Sequence, residues 1–71
     1  MKPNEIAIHD LKDESATVMN KIMHLDNFLI EHEGGLEYED KRLIRIQRAI
    51  LFSYATVLDA RINNLKNEKE N

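Results

Sequence analysis

The stretch KRLIRIQRAILFSYATVLDARI, residues 41–62, decides the fold because its apolar side chains recur with the period of an α-helix. At 100° per residue they fall within an arc of about 160° on one side of that helix. The arc comprises Leu43, Ile44, Ile46, Gln47, Ile50, Leu51, Tyr54, Val57, Leu58, Arg61, Ile62 and, just beyond the stretch, Leu65. It is wider than one partner helix covers, so we expect this helix to contact more than one neighbour.

A second helix is predicted upstream, because apolar residues there recur at alternating spacings of four and three. This line consists of Val18, Ile22, Leu25 and Leu29. Asp10 is the expected N-cap, since its carboxylate can accept a hydrogen bond from a free backbone N–H. Gly34-Gly35 is the expected stop, because glycine readily takes the positive φ that ends many helices.

Together these patterns predict an all-α fold, an antiparallel two-helix hairpin with an N-terminal arm that assembles as a homo-oligomeric helical bundle. The single domain is expected over residues 1–66, with arm 1–9, helix one about 11–32, loop 33–38, helix two about 39–66 and a frayed tail 67–71. A chain of 71 residues buries only a thin core by itself. Association of several copies is therefore expected to cover the remaining apolar surface.

Composition and charge narrow the class of protein. The sequence has no cysteine, which excludes disulfides and thiolate zinc sites. It also lacks a signal-peptide core and any apolar run near the roughly 18 residues that span a membrane, so a cytosolic protein is expected. The net charge of −3 is uneven, with ten carboxylates and three lysines in residues 1–40 but five cations and one carboxylate in residues 41–61. An acidic whole argues against a DNA partner.

Basic residues form a row on the second helix outside the apolar arc. Lys41, Arg45, Arg48 and then Phe52 follow one another at spacings of four, three and four. Glu37 and Glu39 stand at ion-pairing distances before Lys41 and Arg42, whereas Arg45 and Arg48 have no acidic residue at those preceding positions. The row is therefore either solvated or paired with another subunit, or it binds phosphate, for which guanidinium groups are well suited.

Phe52 has two interpretations as well. It follows Arg48 by four residues and lies beside the small residues Ala49, Ser53 and Ala55. An exposed ring in such surroundings either packs against another subunit or stacks on a nucleotide base. Both interpretations place another molecule on this face of the helix.

Catalytic and metal chemistry is not expected from this sequence. His9, His24 and His32 do not have zinc-binding spacing, and Gly34-Gly35 lacks the flanking Lys-Ser/Thr pattern of a phosphate loop. No serine has a sequence signature of an activating base. We predict a protein that is not an enzyme and needs no metal or cofactor.

The order of several motifs resembles a group of small bacteriophage helical-hairpin proteins related to the anti-CBASS and anti-Thoeris cyclic-nucleotide sponges. Upstream, His9-Asp10-Leu11 and then Met19-Asn20-Lys21-Ile22 are similar to the Asp-Leu and Met-Asn-Arg-Ile segments of the anti-CBASS sponge. The segment from Lys41 to Arg48 is similar to its Arg-Trp-Leu-x-Ile-x-Arg, within a second-helix pattern that continues to Ile62. The likeness covers about residues 8–62.

This resemblance implies a compact oligomer, a hexamer in the sponge family, that sequesters cyclic di- or trinucleotides without cleaving them. It would act in the cytoplasm of an infected bacterial host. The family's pocket lies between protomers and uses an N-terminal Tyr, a helix-one Lys and a helix-two Arg. Arg48 matches that Arg and Arg42 an earlier one, whereas Ile8 and Met23 stand at the Tyr and Lys positions. Lys21 and His9 are the candidates to replace those lost groups.

Three hypotheses follow for function. In the first, Arg45 and Arg48, with Lys41 and Arg42 nearby, bind the phosphates of a sequestered cyclic nucleotide, and Phe52 and Tyr54 lie near its bases. In the second, the protein is a helical module that docks on and inhibits a host or phage regulatory protein. In the third, the chain forms a structural oligomer without a ligand, and the basic face meets the acidic half of a neighbour.

Overall fold

Two helices account for most of the chain in the computed structural model, which describes residues 2–70 and the side chains of residues 2–68. Helix α1 is Pro3–Glu31 and helix α2 is Tyr38–Glu70, and they pack against each other as a hairpin. The all-α hairpin predicted from the sequence is thus confirmed. Neither helix, within residues 2–70, has the length and apolar character needed to cross a membrane.

The helices contact along lines of residues that alternate between three and four positions apart, as in a coiled coil. The buried cluster consists of Ile8, Leu11, Val18, Ile22, Ala55, Leu58 and Ile62, with Leu51 and Leu65 packed against it. Leu58 is the most deeply buried residue, with 1% of its surface exposed. The predicted line in helix one is confirmed at Val18 and Ile22, whereas Leu25 and Leu29 are half-buried.

The prediction of an N-terminal arm is wrong over residues 3–9, because these residues form the first turns of α1. Met1 lies outside the described residues. Pro3 suits the first helical position, because its missing N–H would have no partner there. Ile8 and Leu11 extend the line of Val18 and Ile22 by further heptad steps and are buried with them. Asp10 therefore lies inside the helix and is not its cap.

The turn also differs from the expected one. Helix α1 ends at Glu31, and His32 N–H donates to the Phe28 carbonyl at 3.0 Å. Gly35 N–H then donates to the His32 carbonyl at 3.0 Å, which closes the turn. No glycine in the described chain has a positive φ. Gly34-Gly35 thus marks the end of the helix as predicted, but not through a left-handed conformation.

Helix α2 is longer than predicted at its C-terminal end. Residues 67–70, expected as part of a frayed tail, continue the helix, and Asn71 lies outside the described residues. Leu65 still packs on the core three residues after Ile62, which gives the last turns a contact with α1.

Two side-chain pairs show the register of the hairpin. Ser15 Oγ donates to Asp59 Oδ1 at 3.3 Å, and Arg48 Nε donates to Asp26 Oδ1 at 2.5 Å. From the first pair to the second, the position in α1 advances by eleven residues and the position in α2 goes back by eleven, as antiparallel helices require. By the same register, Phe52 lies level with Ile22.

A single layer of helices leaves much apolar surface uncovered. The molecule measures 52 × 16 × 12 Å, so its thickness is about one helix diameter. Seven apolar residues are buried, whereas twelve large apolar residues of the described chain stay exposed. The prediction that one partner helix cannot cover the arc of α2 is confirmed, because Leu43, Ile46, Ile50, Tyr54 and Val57 are all exposed.

Candidate anion-binding face

Arg48 does not lie on the outer side of α2, where the sequence-based row placed it. It occupies the contact line, seven residues before Ala55, and its guanidinium pairs with Asp26 of α1 at 2.5 Å. The two side chains are 42% and 40% exposed, so this ion pair lies at the edge of the helix contact. Its Nε is occupied by Asp26, whereas its two terminal NH2 groups make no hydrogen bond within the described chain.

Arg42 is occupied by a neighbour on its own helix. Its Nε and one terminal nitrogen donate to the two carboxylate oxygens of Glu39 at 3.0 and 2.6 Å. This two-point pairing lowers the pKa of Glu39 and raises that of Arg42, because each charged form stabilises the other. The predicted pairing of Glu39 with Arg42 is confirmed, and it leaves Arg42 poorly placed to receive a ligand.

Lys41 and Arg45 are the cations of this region that remain free. Neither makes an ion pair or a side-chain hydrogen bond to any residue whose side chain the structure describes, so the predicted Glu37–Lys41 pair is not formed. Together with Leu29, Ile30 and Glu33 they line a shallow groove of about 190 Å³ near the turn. The groove combines two unpaired positive charges with the apolar side chains of Leu29 and Ile30, which suits an anion that also carries apolar surface.

Phe52 lies on the same side of the hairpin as Arg45, two helical turns further along α2. Level with Ile22, it falls between Met19 and Met23 of α1, and all three side chains are about half exposed. We call this surface the basic face and define it by Lys41, Arg45, Arg48, Phe52, Met19 and Met23. The cations of the basic face lie nearer the turn, and Phe52 with the two methionines lies further from it. The aromatic ring and the thioethers can contact a flat ring of a ligand.

The sequence model of a family named Sequestin matches residues 6–64, which include most of both helices and the whole basic face. The chain belongs to the Sequestin family. No curated protein and no solved structure matched the sequence. The family name indicates a sequestering function, in agreement with the first of the three hypotheses, and it specifies neither a ligand nor an origin.

Within this Sequestin chain, Lys21 and His9 do not join the basic face near the groove. Lys21 is two residues from both Met19 and Met23, so it lies about 160° around α1 from them. His9 stands about 30 Å along α1 from Leu29 and has its Nδ1 3.7 Å from Asp13 Oδ2. One chain alone therefore does not bring either residue to Arg45.

Two features of the Sequestin hairpin were missed by sequence reasoning. Asp26 was not assigned as the partner of Arg48, because the pairing depends on the register between helices. A second cleft, of about 380 Å³, lies at the other end of the basic face and is lined by Lys12, Ser15, Asp59, Ile62, Asn63 and Lys66. The one sequence signal for this cleft is the spacing of three residues between Lys12 and Ser15, which places both side chains on the same side of α1. The described residues include no group of three acidic or histidine side chains that could hold a metal ion.

Proposed function

We propose that this Sequestin-family protein binds a cyclic di- or trinucleotide, or a related cyclic nucleotide, and sequesters it without cleaving it. In a phage-infected bacterium this would withhold an immune signal from its effector. The observation that carries the proposal is the pair of unpaired cations, Lys41 and Arg45, in a groove on the same side of the hairpin as the exposed ring of Phe52.

The charges of the groove favour phosphate as the first part of the ligand. Arg45 offers its full guanidinium fork, and Lys41 adds a point charge one turn away. Arg48, held through Nε by Asp26, lies one turn further along α2 towards Phe52, and its terminal NH2 groups make no hydrogen bond within the described chain. Glu33 is the one carboxylate lining the groove, so its positive charge exceeds its negative charge.

The apolar part of the basic face favours a base as the second part. Phe52 stands about 10 Å along the helix axis from Arg45, and by the register of the hairpin it is level with the segment between the exposed Met19 and Met23. Stacking of a base on an aromatic ring contributes roughly 1–3 kcal/mol and tolerates different bases. A ligand with phosphates and bases therefore has a matching surface along one side of the hairpin.

The size of the groove favours binding between copies. Its 190 Å³ is below the roughly 300–1,000 Å³ of pockets that enclose small molecules. A second copy that closes over the basic face would double the number of cations and rings and remove the ligand from water. A cyclic dinucleotide, with two phosphates and two bases, suits such a paired site. The resemblance to the sponges suggests a hexamer as the complete assembly.

Calorimetry against cyclic di- and trinucleotides and cyclic ADP-ribose isomers tests the proposal. Arg45→Gln is expected to weaken binding about tenfold or more, since a charged hydrogen bond contributes roughly 1.5–3 kcal/mol. Arg42→Gln is the matched control, because Glu39 already occupies that guanidinium. The absence of heat with every ligand contradicts the function, and an equal loss in both variants contradicts the site.

Mass spectrometry of molecules released by heating tests sequestration itself. After incubation with the ligand identified by calorimetry, the intact nucleotide should be recovered in full. Recovery of a hydrolysed product would show an enzyme instead.

The exposed apolar surface also supports the second hypothesis, a module that docks on a regulatory protein. Twelve large apolar residues of the described chain are exposed, a surface that a helical partner could cover. A pull-down that recovers one host protein in equal amount, with no bound nucleotide, would favour this function over sequestration.

A further inference from the structure

An apolar stripe on α2 is used neither by the hairpin contact nor by the basic face. It consists of Leu43, Ile46, Ile50, Tyr54 and Val57, each between 42% and 64% exposed. We name it the outer stripe. Ile50 and Phe52 are two residues apart and therefore about 160° apart around the helix, so the outer stripe and the basic face lie on opposite flanks of α2.

The positions of the outer stripe are symmetric about Ile50. Leu43 and Val57 stand seven residues before and after it, and Ile46 and Tyr54 stand four residues before and after it. A twofold axis at Ile50 that relates two antiparallel α2 helices places Leu43 level with Val57 of the other copy. Every apolar residue then meets apolar surface, as a self-complementary twofold interface requires.

Charges at the ends of the outer stripe select this antiparallel arrangement. Asp40, Tyr54 and Arg61 share one side of the stripe because they are separated by whole heptads. Neither Asp40 nor Arg61 has an ion-pair partner among the side chains described. The twofold axis brings Arg61 within one residue of the level of Asp40 in the other copy, twice per dimer. In a parallel dimer Arg61 would instead lie level with Arg61 of the other copy, far along the axis from either Asp40.

We propose that the outer stripe is a homodimer interface in which two α2 helices pack antiparallel around Ile50. A second copy is the partner that fits. The apolar residues are spaced symmetrically about Ile50, and the acidic end of one stripe meets the basic end of the other. The basic faces remain uncovered in this dimer and lie on its outside. The interface is independent of the proposed ligand, and it leaves both grooves free to bind.

Cysteine cross-linking tests the interface, and the natural sequence has no cysteine to interfere. Ile50→Cys is expected to form a disulfide-linked dimer under mild oxidation, because this position meets itself at the twofold axis. Phe52→Cys, oxidised without ligand so that no second copy closes over the basic face, is the matched control, since the two residues are 64% and 55% exposed but lie on opposite flanks. Cross-linking of Phe52→Cys without Ile50→Cys, or of neither, overturns the proposal.

A second cross-linking experiment tests whether the two α2 helices of the dimer are antiparallel. Leu43→Cys and Val57→Cys should each link poorly alone, since in the antiparallel dimer each lies about 20 Å along the axis from its own copy. A mixture of the two variants should link efficiently. If Leu43→Cys links with itself as well as the mixture does, the helices are parallel and the proposed arrangement is wrong.

Charge reversal tests the end pairs. Arg61→Asp should weaken dimerisation about tenfold in sedimentation experiments, because it replaces two attractions by two repulsions. The double variant Asp40→Arg with Arg61→Asp should restore the dissociation constant to within a few fold. A double variant as weak as the single one contradicts the pairing, and circular dichroism of each variant shows that the helices are retained.

Discussion

Arg48 illustrates what sequence spacing reveals at the scale of one residue. Its lack of a preceding acidic neighbour was visible in the sequence, whereas its partner Asp26 lies 22 positions away on the other helix. Local spacing identifies pairs such as Glu39–Arg42, because both residues share one helix. The pairing with Asp26 depends on the register between helices, which the residues around Arg48 do not specify.

A double-mutant cycle measures the Arg48–Asp26 pair. Arg48→Ala, Asp26→Ala and the double variant are expected to give a coupling energy of about 0.5–1 kcal/mol in urea unfolding. The value is modest because solvent screens two side chains that are about 40% exposed. An Arg45→Ala and Asp26→Ala cycle is the control and should show no coupling. A zero coupling for Arg48 would mean that the ion pair does not stabilise the register.

The pKa of Glu39 is the most direct probe of the start of α2. Its pKa is lowered by the guanidinium of Arg42, so Arg42→Gln should raise it towards the ordinary carboxyl range. Arg45→Gln should leave it unchanged. A carboxyl whose folded pKa is lowered stabilises the fold at neutral pH, and that contribution is lost as the pH falls through the lowered pKa. Carbon-detected NMR titration of Glu39 measures the shift, and a lowered pKa that persists in Arg42→Gln contradicts this cause.

At the scale of the helices, sequence periodicity predicted the centre of each one and missed the ends. The line Val18–Ile22 was recognised, but Ile8 and Leu11 were not assigned to it, so the first turns of α1 were mistaken for an arm. Pro3 contributed to that error, since a proline near a terminus is typical of irregular chain as well as of a first helical turn. Burial against α2 decides between the two, and it is a tertiary effect.

The glycine turn gives a prediction at the same scale. Gly34 has a negative φ, and a Cβ built on it meets no atom within 4 Å. Gly34→Ala should therefore raise the free energy of unfolding by about 0.4–1 kcal/mol, because alanine reduces the entropy of the unfolded chain. Gly35→Ala is a useful comparison, since its Cβ would meet the His32 carbonyl oxygen at an ordinary 3.9 Å. Denaturant unfolding measures both, and a loss of stability in Gly34→Ala would show that the turn needs a glycine conformation.

For the whole molecule, the width of the apolar arc on α2 could be predicted from the sequence, but its division into two surfaces could not. The half with Leu51, Leu58 and Ile62 packs against α1, and the half with Leu43 and Ile50 stays exposed. The sequence does not state which half faces the hairpin, because both have helical spacing. The same ambiguity led us to predict Arg48 on the exposed side of α2 and Tyr54 in its apolar arc. In the structure Arg48 lies on the contact line with α1, and Tyr54 lies in the exposed outer stripe.

If the outer stripe is buried only when two copies associate, the stability of the protein must depend on its concentration. Raising the concentration a hundredfold above the dimer dissociation constant adds about 2.7 kcal/mol to the apparent free energy of unfolding. The melting temperature should then rise by about 10–20 °C for a domain of this size. Ile50→Lys places two like charges at the twofold axis and should abolish this dependence, whereas Phe52→Lys, on the other flank, should retain it. Thermal melts followed by circular dichroism at both concentrations make the comparison. A melting temperature of the natural protein that does not change with concentration would mean that a single hairpin is stable with its outer stripe in water.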